Sequence, residues 1–170
     1  RGGMGVVYRA LRLADGVPAA VKLIIPAVSR PGAAEKFLRE ARILGQLQHR
    51  HVVKFLEAGE TESGLFIAME FVDGPDAAQL AHQRGGELNV RFAVRLICQV
   101  LNGLAHAHKA GFVHRDIKPH NILIGKENKK PVVKVADFGL ARAFEASKLS
   151  GMTLHGEFGG TPAFMAPEQV

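Results

Sequence analysis

The stretch His114-Arg115-Asp116-Ile117-Lys118-Pro119-His120-Asn121, followed by Asp137-Phe138-Gly139, constrains this chain more than any other. It brings together a carboxylate able to accept a hydroxyl proton, a lysine, an amide ligand and a second carboxylate beside a flexible glycine. Those groups suit the movement of a phosphoryl group from a metal-bound nucleotide to a hydroxyl. The rest of the chain then has to supply a glycine turn for the phosphates, a further cation and an apolar cleft.

The length of 170 residues suits one domain, and a hydrophobic content of 47% argues against disorder. No apolar run approaches the roughly 18 residues needed to span a bilayer, and no secretory leader pattern is read at the start. The opening turn Arg1-Gly2-Gly3-Met4-Gly5 is expected to have had chain before it. A single cysteine, Cys98, excludes an intrachain disulfide, and its apolar helical setting predicts a buried, inert thiol. The net charge of +6 is scattered. Its one tight cluster, Lys126-Glu127-Asn128-Lys129-Lys130 between Gly125 and Pro131, reads as a solvated hairpin tip. With no aromatic residues interleaved to stack bases, no nucleic-acid partner is expected, and no membrane contact from this segment. Among the eight histidines, His106 and His108 point apart on a predicted helix. His49 and His51 flank Arg50 in a loop, and no spacing suggests zinc.

Val6–Ala10 and Ala19–Ile25 read as strands of a hairpin turned at Asp15-Gly16. Phe37, Leu38, Ala41, Leu44 and Leu47 recur at helical spacing, predicting a helix from Ala33 to Leu47. Val52–Ala58 and Leu65–Phe71 read as two more strands. The character changes at Val72-Asp73-Gly74-Pro75, where a hinge is expected. A short helix over Asp76–Gln83 and a long one over Val90–Ala110, capped by Asn89 and stopped by Gly111, follow. Strands at Ile122–Ile124 and Val132–Val135 flank the hairpin tip. A sheet-rich unit joined by a hinge to a helical one suits a ligand held in a cleft.

With these motifs in order, the chain resembles a eukaryotic-like (Hanks-type) serine/threonine protein kinase of the bacterial type. The resemblance implies an α+β, bilobal protein-kinase-like fold, truncated: a small antiparallel β lobe with one helix at 1–71, a hinge at 72–75, and a partial helical lobe at 76–170. It implies ATP with Mg2+, Mn2+ being the other candidate, a protein substrate with a Ser/Thr acceptor, a dimer for autophosphorylation, and a cytoplasmic location. Gly2, Gly3 and Gly5 resemble the back half of the glycine-rich loop, where side chains would block backbone N–H groups from phosphates. Lys22, in Ala19-Ala20-Val21-Lys22, resembles the lysine for the α- and β-phosphates, and Glu40 its helix partner. At about 4 Å such a pair gains on the order of 4 kcal/mol at an effective dielectric of 20, partly offset by desolvation.

By the same resemblance Asp116 is the base for the acceptor hydroxyl, Lys118 steadies the γ-phosphate, and Asn121 and Asp137 are metal ligands with hard oxygen donors. Met69 lies at the back of the adenine pocket. Backbone groups of Glu70 and Val72 read the adenine edge, and Val7, Ala20 and Leu123 sandwich the ring. Leu44, Phe55, His114 and Phe138 resemble the apolar stack linking the lobes. Lys118, and the run Gly160-Thr161-Pro162 to Ala166-Pro167-Glu168, favour Ser/Thr chemistry over tyrosine or small-molecule kinases. Retention of Lys22, Asp116 and Asp137 argues against a pseudokinase acting as an ATP-binding scaffold.

Arg115, Arg142 and Lys36 resemble a basic pocket for an activation-loop phosphate. Thr153 resembles the autophosphorylated position, with Ser147 and Ser150 behind it, and Thr161 shapes the acceptor site. Relatives continue past the A-P-E motif to complete the helical lobe. Residues 1–170 alone are therefore expected to be poorly stable and inactive, with one face of the 90–110 helix uncovered. Glu157 is expected to stand in part for a phosphate by pairing with Arg115 and Arg142. Reversing its charge in the intact protein should lower the activity of the unphosphorylated form, and unchanged activity in Glu157→Lys would contradict the pairing.

Overall fold

The computed structural model describes residues 6–24, 32–138 and 164. They divide into two compact units, one of 6–24, 32–47 and 54–71, the other containing 48–53 and 72–138.

The first unit is an antiparallel sheet with one helix. Strands β1 (Val6–Leu11), β2 (Pro18–Ile24), β3 (Phe55–Thr61) and β4 (Gly64–Glu70) take the order β1-β2-β4-β3. Sequential strands pair through short turns, and β4 then inserts between β2 and β3, with Lys22 opposite Ile67 and Ala20 opposite Met69. Helix α1 (Ala33–Leu44) lays Ala33, Phe37 and Ala41 against Ile24, Ala58, Leu65 and Ile67. Phe37 is fully buried, so this small unit is held mainly by burial of apolar surface, about 25 cal/mol per Å².

The helix stops at Leu44, short of the expected Leu47. Gly45, Gln46 and Leu47 instead donate three residues back, to Arg42, Ile43 and Leu44 carbonyls. A Cβ at Gly45 would lie 2.9 Å from the Phe55 ring, so this close approach suits glycine. The strand expected from Val52 also starts later, at Phe55. Val52 bridges Val135 in parallel, and Val53 N–H donates to the Val135 carbonyl. These two β-branched residues have been recruited by the second unit.

In the second unit, α2 (Ala77–Gln83) follows the N-cap Asp76, and α3 (Val90–Lys109) follows Asn89. The Asn89 side chain accepts from the N–H groups of Arg91 and Phe92, as a cap should. The C-terminus closes with Phe112 N–H on the Ala107 carbonyl and Gly111 at φ 80°. Strands β5 (Ile122–Glu127) and β6 (Lys130–Val135) form a hairpin. It runs to the tip because Asn128 and Lys129 both take positive φ, the twist a two-residue turn needs.

Helix α3 buries Leu96, Val100, Gly103 and Ala107. Its other side exposes Val90, Val94, Ile97 and Leu101, and Cys98 lies on the surface as well. The expectation of a buried thiol is thus corrected: apolar spacing located a helix but assigned Cys98 to the wrong face. No helix among the described residues is long and apolar enough to cross a membrane.

The 48–53 segment is seated by polar contacts. His51 Nδ1 meets the Val133 carbonyl at 2.9 Å, and Val135 N–H donates to the His51 carbonyl. Gln99 of α3 accepts from Val133 N–H. Gly103 lets α3 approach, since a Cβ there would lie 2.7 Å from the His51 carbonyl oxygen. In an ordinary helix Gly→Ala gains about 1 kcal/mol. Here the clash opposes it, and Gly103→Ala should lower the Tm of the intact protein. A raised Tm would show that the contact is soft.

Candidate active site

The segment between α3 and β5 has little regular structure, and side chains hold it. His114 is buried, and its Nδ1 accepts from Asp116 N–H at 3.2 Å. The proton therefore sits on Nε2, which donates to the Ala136 carbonyl at 2.8 Å. Burial pushes this imidazole's pKa below its ordinary value, while the Ala136 carbonyl and the carboxylates of Asp116 and Asp137 oppose the shift. The ring meets Phe138 edge-on, with centroids 4.5 Å apart. Arg115, between the bonded residues, takes φ 65°, a left-handed conformation costly for a side chain of that size.

Asp116 is the centre of the network. Its Oδ2 receives Lys118 Nζ at 2.8 Å and Asn121 Nδ2 at 3.1 Å. Asn121 Nδ2 also donates to the Asp116 backbone carbonyl at 2.8 Å. Both side chains of the Asp116–Lys118 pair are largely screened from water, which strengthens the charge-assisted bond. Both of these donors fall on Oδ2.

The hairpin register places the second carboxylate. Ile122 pairs with Val135, so Asn121 precedes β5 just where Ala136 and Asp137 follow β6. Ala136 N–H donates to the Asn121 carbonyl at 2.8 Å. One residue's backbone thus ties both segments: Ala136 gives its N–H to Asn121 and takes His114 on its carbonyl. Asp137 then turns at φ 60°. Because Asn121 commits Nδ2 to Asp116, its amide oxygen is the atom left for a cation. An amide oxygen and a carboxylate are donors of the type a hard divalent ion takes.

A family model for the protein kinase domain matches residues 1–170. The chain belongs to the protein kinase family. It is 40% identical to the serine/threonine-protein kinase pkn3 of Myxococcus xanthus, over 99% of this chain and 31% of that protein. It is likewise 40% identical to the serine/threonine-protein kinase PknH of Mycobacterium tuberculosis, over 99% of this chain and 26% of that one. It therefore spans under a third of the length of either. The crystal structure of a mutant PknI kinase domain of Mycobacterium tuberculosis matches with a TM-score of 0.69 at 30% identity, covering 82% of this chain and 56% of that one. The fold is the α+β fold of protein kinases, in part.

Of the residues singled out in this kinase sequence, Asp116, Lys118 and Asn121 meet directly, and Asp137 follows the Ala136 clamp. Lys22 is buried on β2 and is engaged by neighbouring groups. Glu40 lies on α1 in the same unit, its carboxylate 3.8 Å from Arg39. Val7, Ala20, Met69 and Glu70 belong to the first unit, Val72 and Leu123 to the second. The Glu70 N–H donates to the Lys54 carbonyl. Leu44 and Phe55 pack on the first unit's core, and His114 and Phe138 on each other. Lys36 and Arg115 are exposed. Gly2, Gly3, Gly5, Arg142, Thr153, Glu157 and Thr161 lie outside the described residues. Sequence reasoning passed over Ala136, which acts through its backbone and carries no signal, and His51, read as an ordinary loop histidine.

The neutral form of His114 is the one the fold accepts. Its folded pKa lies below the unfolded value, so the unfolded chain binds the proton first on acidification. Stability should fall as pH drops below about 6.5, through the depressed folded pKa. His49, whose pKa is also lowered chiefly by burial, acts in the same direction. Tm measured against pH in the intact protein should show this slope, and His114→Leu should flatten it. An equal slope in the variant would remove His114 as a source.

Proposed function

We propose that the chain is the catalytic part of an ATP-dependent serine/threonine protein kinase, arranged as lobes 1–71 and 76–170 about a hinge at 72–75. The observation that carries this reading is the single carboxylate oxygen, Asp116 Oδ2, shared by Lys118 Nζ and Asn121 Nδ2. Two donors on Oδ2 hold the Asp116 carboxylate in place, which supports its assignment as the base for a Ser or Thr hydroxyl. As the hydroxyl oxygen bonds to the γ-phosphorus and the bond to the leaving oxygen of ADP breaks, Asp116 takes the hydroxyl proton.

Lys118 then serves two purposes: it orients Asp116, and it offsets charge on the transferred group. Asn121 and Asp137 are the residues that would hold Mg2+ or Mn2+, which supplies neutralisation of the phosphate charge. Lys22, held by Glu40, is assigned to the nucleotide phosphates, with Gly2, Gly3 and Gly5 covering them. Val7, Ala20, Met69, Glu70, Val72 and Leu123 are assigned to adenine. The names of the serine/threonine-protein kinases pkn3 and PknH support the choice of acceptor.

The test is phosphoryl transfer from ATP to a protein, with the modified residue identified by mass spectrometry. The intact protein should label Ser or Thr, and Asp116→Asn should lower kcat about 10²- to 10⁴-fold with ATP affinity retained. ATP binding without transfer would favour a scaffold, and transfer only to a small molecule would overturn the protein-kinase assignment.

A further inference from the structure

We infer that Asp76 and His120 form a positioning pair that fastens the catalytic loop to the start of α2. Asp76 is a fixed post. It bridges Leu123 of β5, and the preceding Pro75 carbonyl accepts from Ile124 N–H at 2.9 Å. Gly74 lies so close to β5 that a Cβ would fall 2.0 Å from the Ile124 carbonyl oxygen. On the other side a capping box holds it: Asp76 Oδ1 accepts from Gln79 N–H at 2.8 Å, and Gln79 Oε1 accepts from Asp76 N–H at 3.2 Å.

The other carboxylate oxygen of this post faces the catalytic loop. Asp76 Oδ2 meets His120 Nδ1 at 3.3 Å, and against a carboxylate that nitrogen donates. The Asp76 side chain is 13% exposed and that of His120 65%, so the anchored end is the acceptor. His120 is the middle residue of the short turn Pro119–Asn121, and Asn121 is the residue that grips Asp116. The link therefore runs from α2 through His120 to the turn that orients the base. An exposed pair of this kind adds little to stability. Its effect should fall on the rate, because small displacements of a reacting group are costly to catalysis.

The inference rests on the phosphotransfer reading for its rate measurement, so a second readout independent of activity accompanies it. In the intact protein, His120→Leu removes the donor, His120→Asn keeps one at a similar position, and Asp76→Ser keeps the helix cap but not the reach. His120→Leu and Asp76→Ser should each lower kcat about three- to tenfold at unchanged KM for ATP, well inside the roughly hundredfold cost of a 1 Å misplacement. The double variant should be no worse than either single one, since both break the same link. His120→Asn should recover most of the rate. Backbone amide exchange over 118–121 should quicken in the Leu and Ser variants and return in the Asn variant. Unchanged kcat and exchange, or additive losses, would overturn the pair while leaving the kinase reading intact. If the parent transfers no phosphate, that reading fails, and the exchange pattern alone supports or overturns the pair.

Discussion

The backbone of Ala136 is the constraint on which the site depends. Its N–H reaches the Asn121 carbonyl, and its carbonyl takes the His114 ring. The two stretches are thereby joined through the backbone groups of one residue. Around this clamp Asp116 is oriented by Lys118 and Asn121, and Asp137 is presented at the end of β6.

The arrangement carries local strain. Arg115 and Asp137 both adopt left-handed φ values, and a histidine is buried in its neutral form beside two carboxylates. Non-glycine residues in such conformations cost on the order of 1–3 kcal/mol each and persist only where the surroundings over-determine them. Here the surroundings are the β5–β6 hairpin, the seated 48–53 segment and α3. The hydrogen bonds of His51 and Gln99 tie these pieces together, and Gly103 lets α3 approach the His51 backbone closely.

Much of this was legible in residue patterns. The helices at 33 and 90 follow from apolar spacing, whereas the capping box that starts the short helix at Ala77 emerged only in the structure. The site's polar members were legible because aspartate, lysine and asparagine at that spacing have few structural reasons to occur together. Other features were not legible, since they depend on partners distant in sequence. Val52 and Val53 have the character of a strand, but whether they extend β3 or pair with Val135 depends on the second unit. Leu47 fits the helical period, but the backbone from Gly45 tightens to bonds three residues back and the helix ends before it. Cys98 fits an apolar stripe, and which stripe faces inward depends on what α3 packs against.

The sequence by itself determined the family, the element types and the chemical identity of the groups gathered around Asp116, because these follow from side-chain chemistry and short-range periodicity. The tertiary structure decided which Asp116 oxygen is engaged, which tautomer His114 adopts, and how Asp76 comes to face His120. Those outcomes are set by hydrogen-bond geometry between segments that meet only when the hairpin, the turn and the helices have packed.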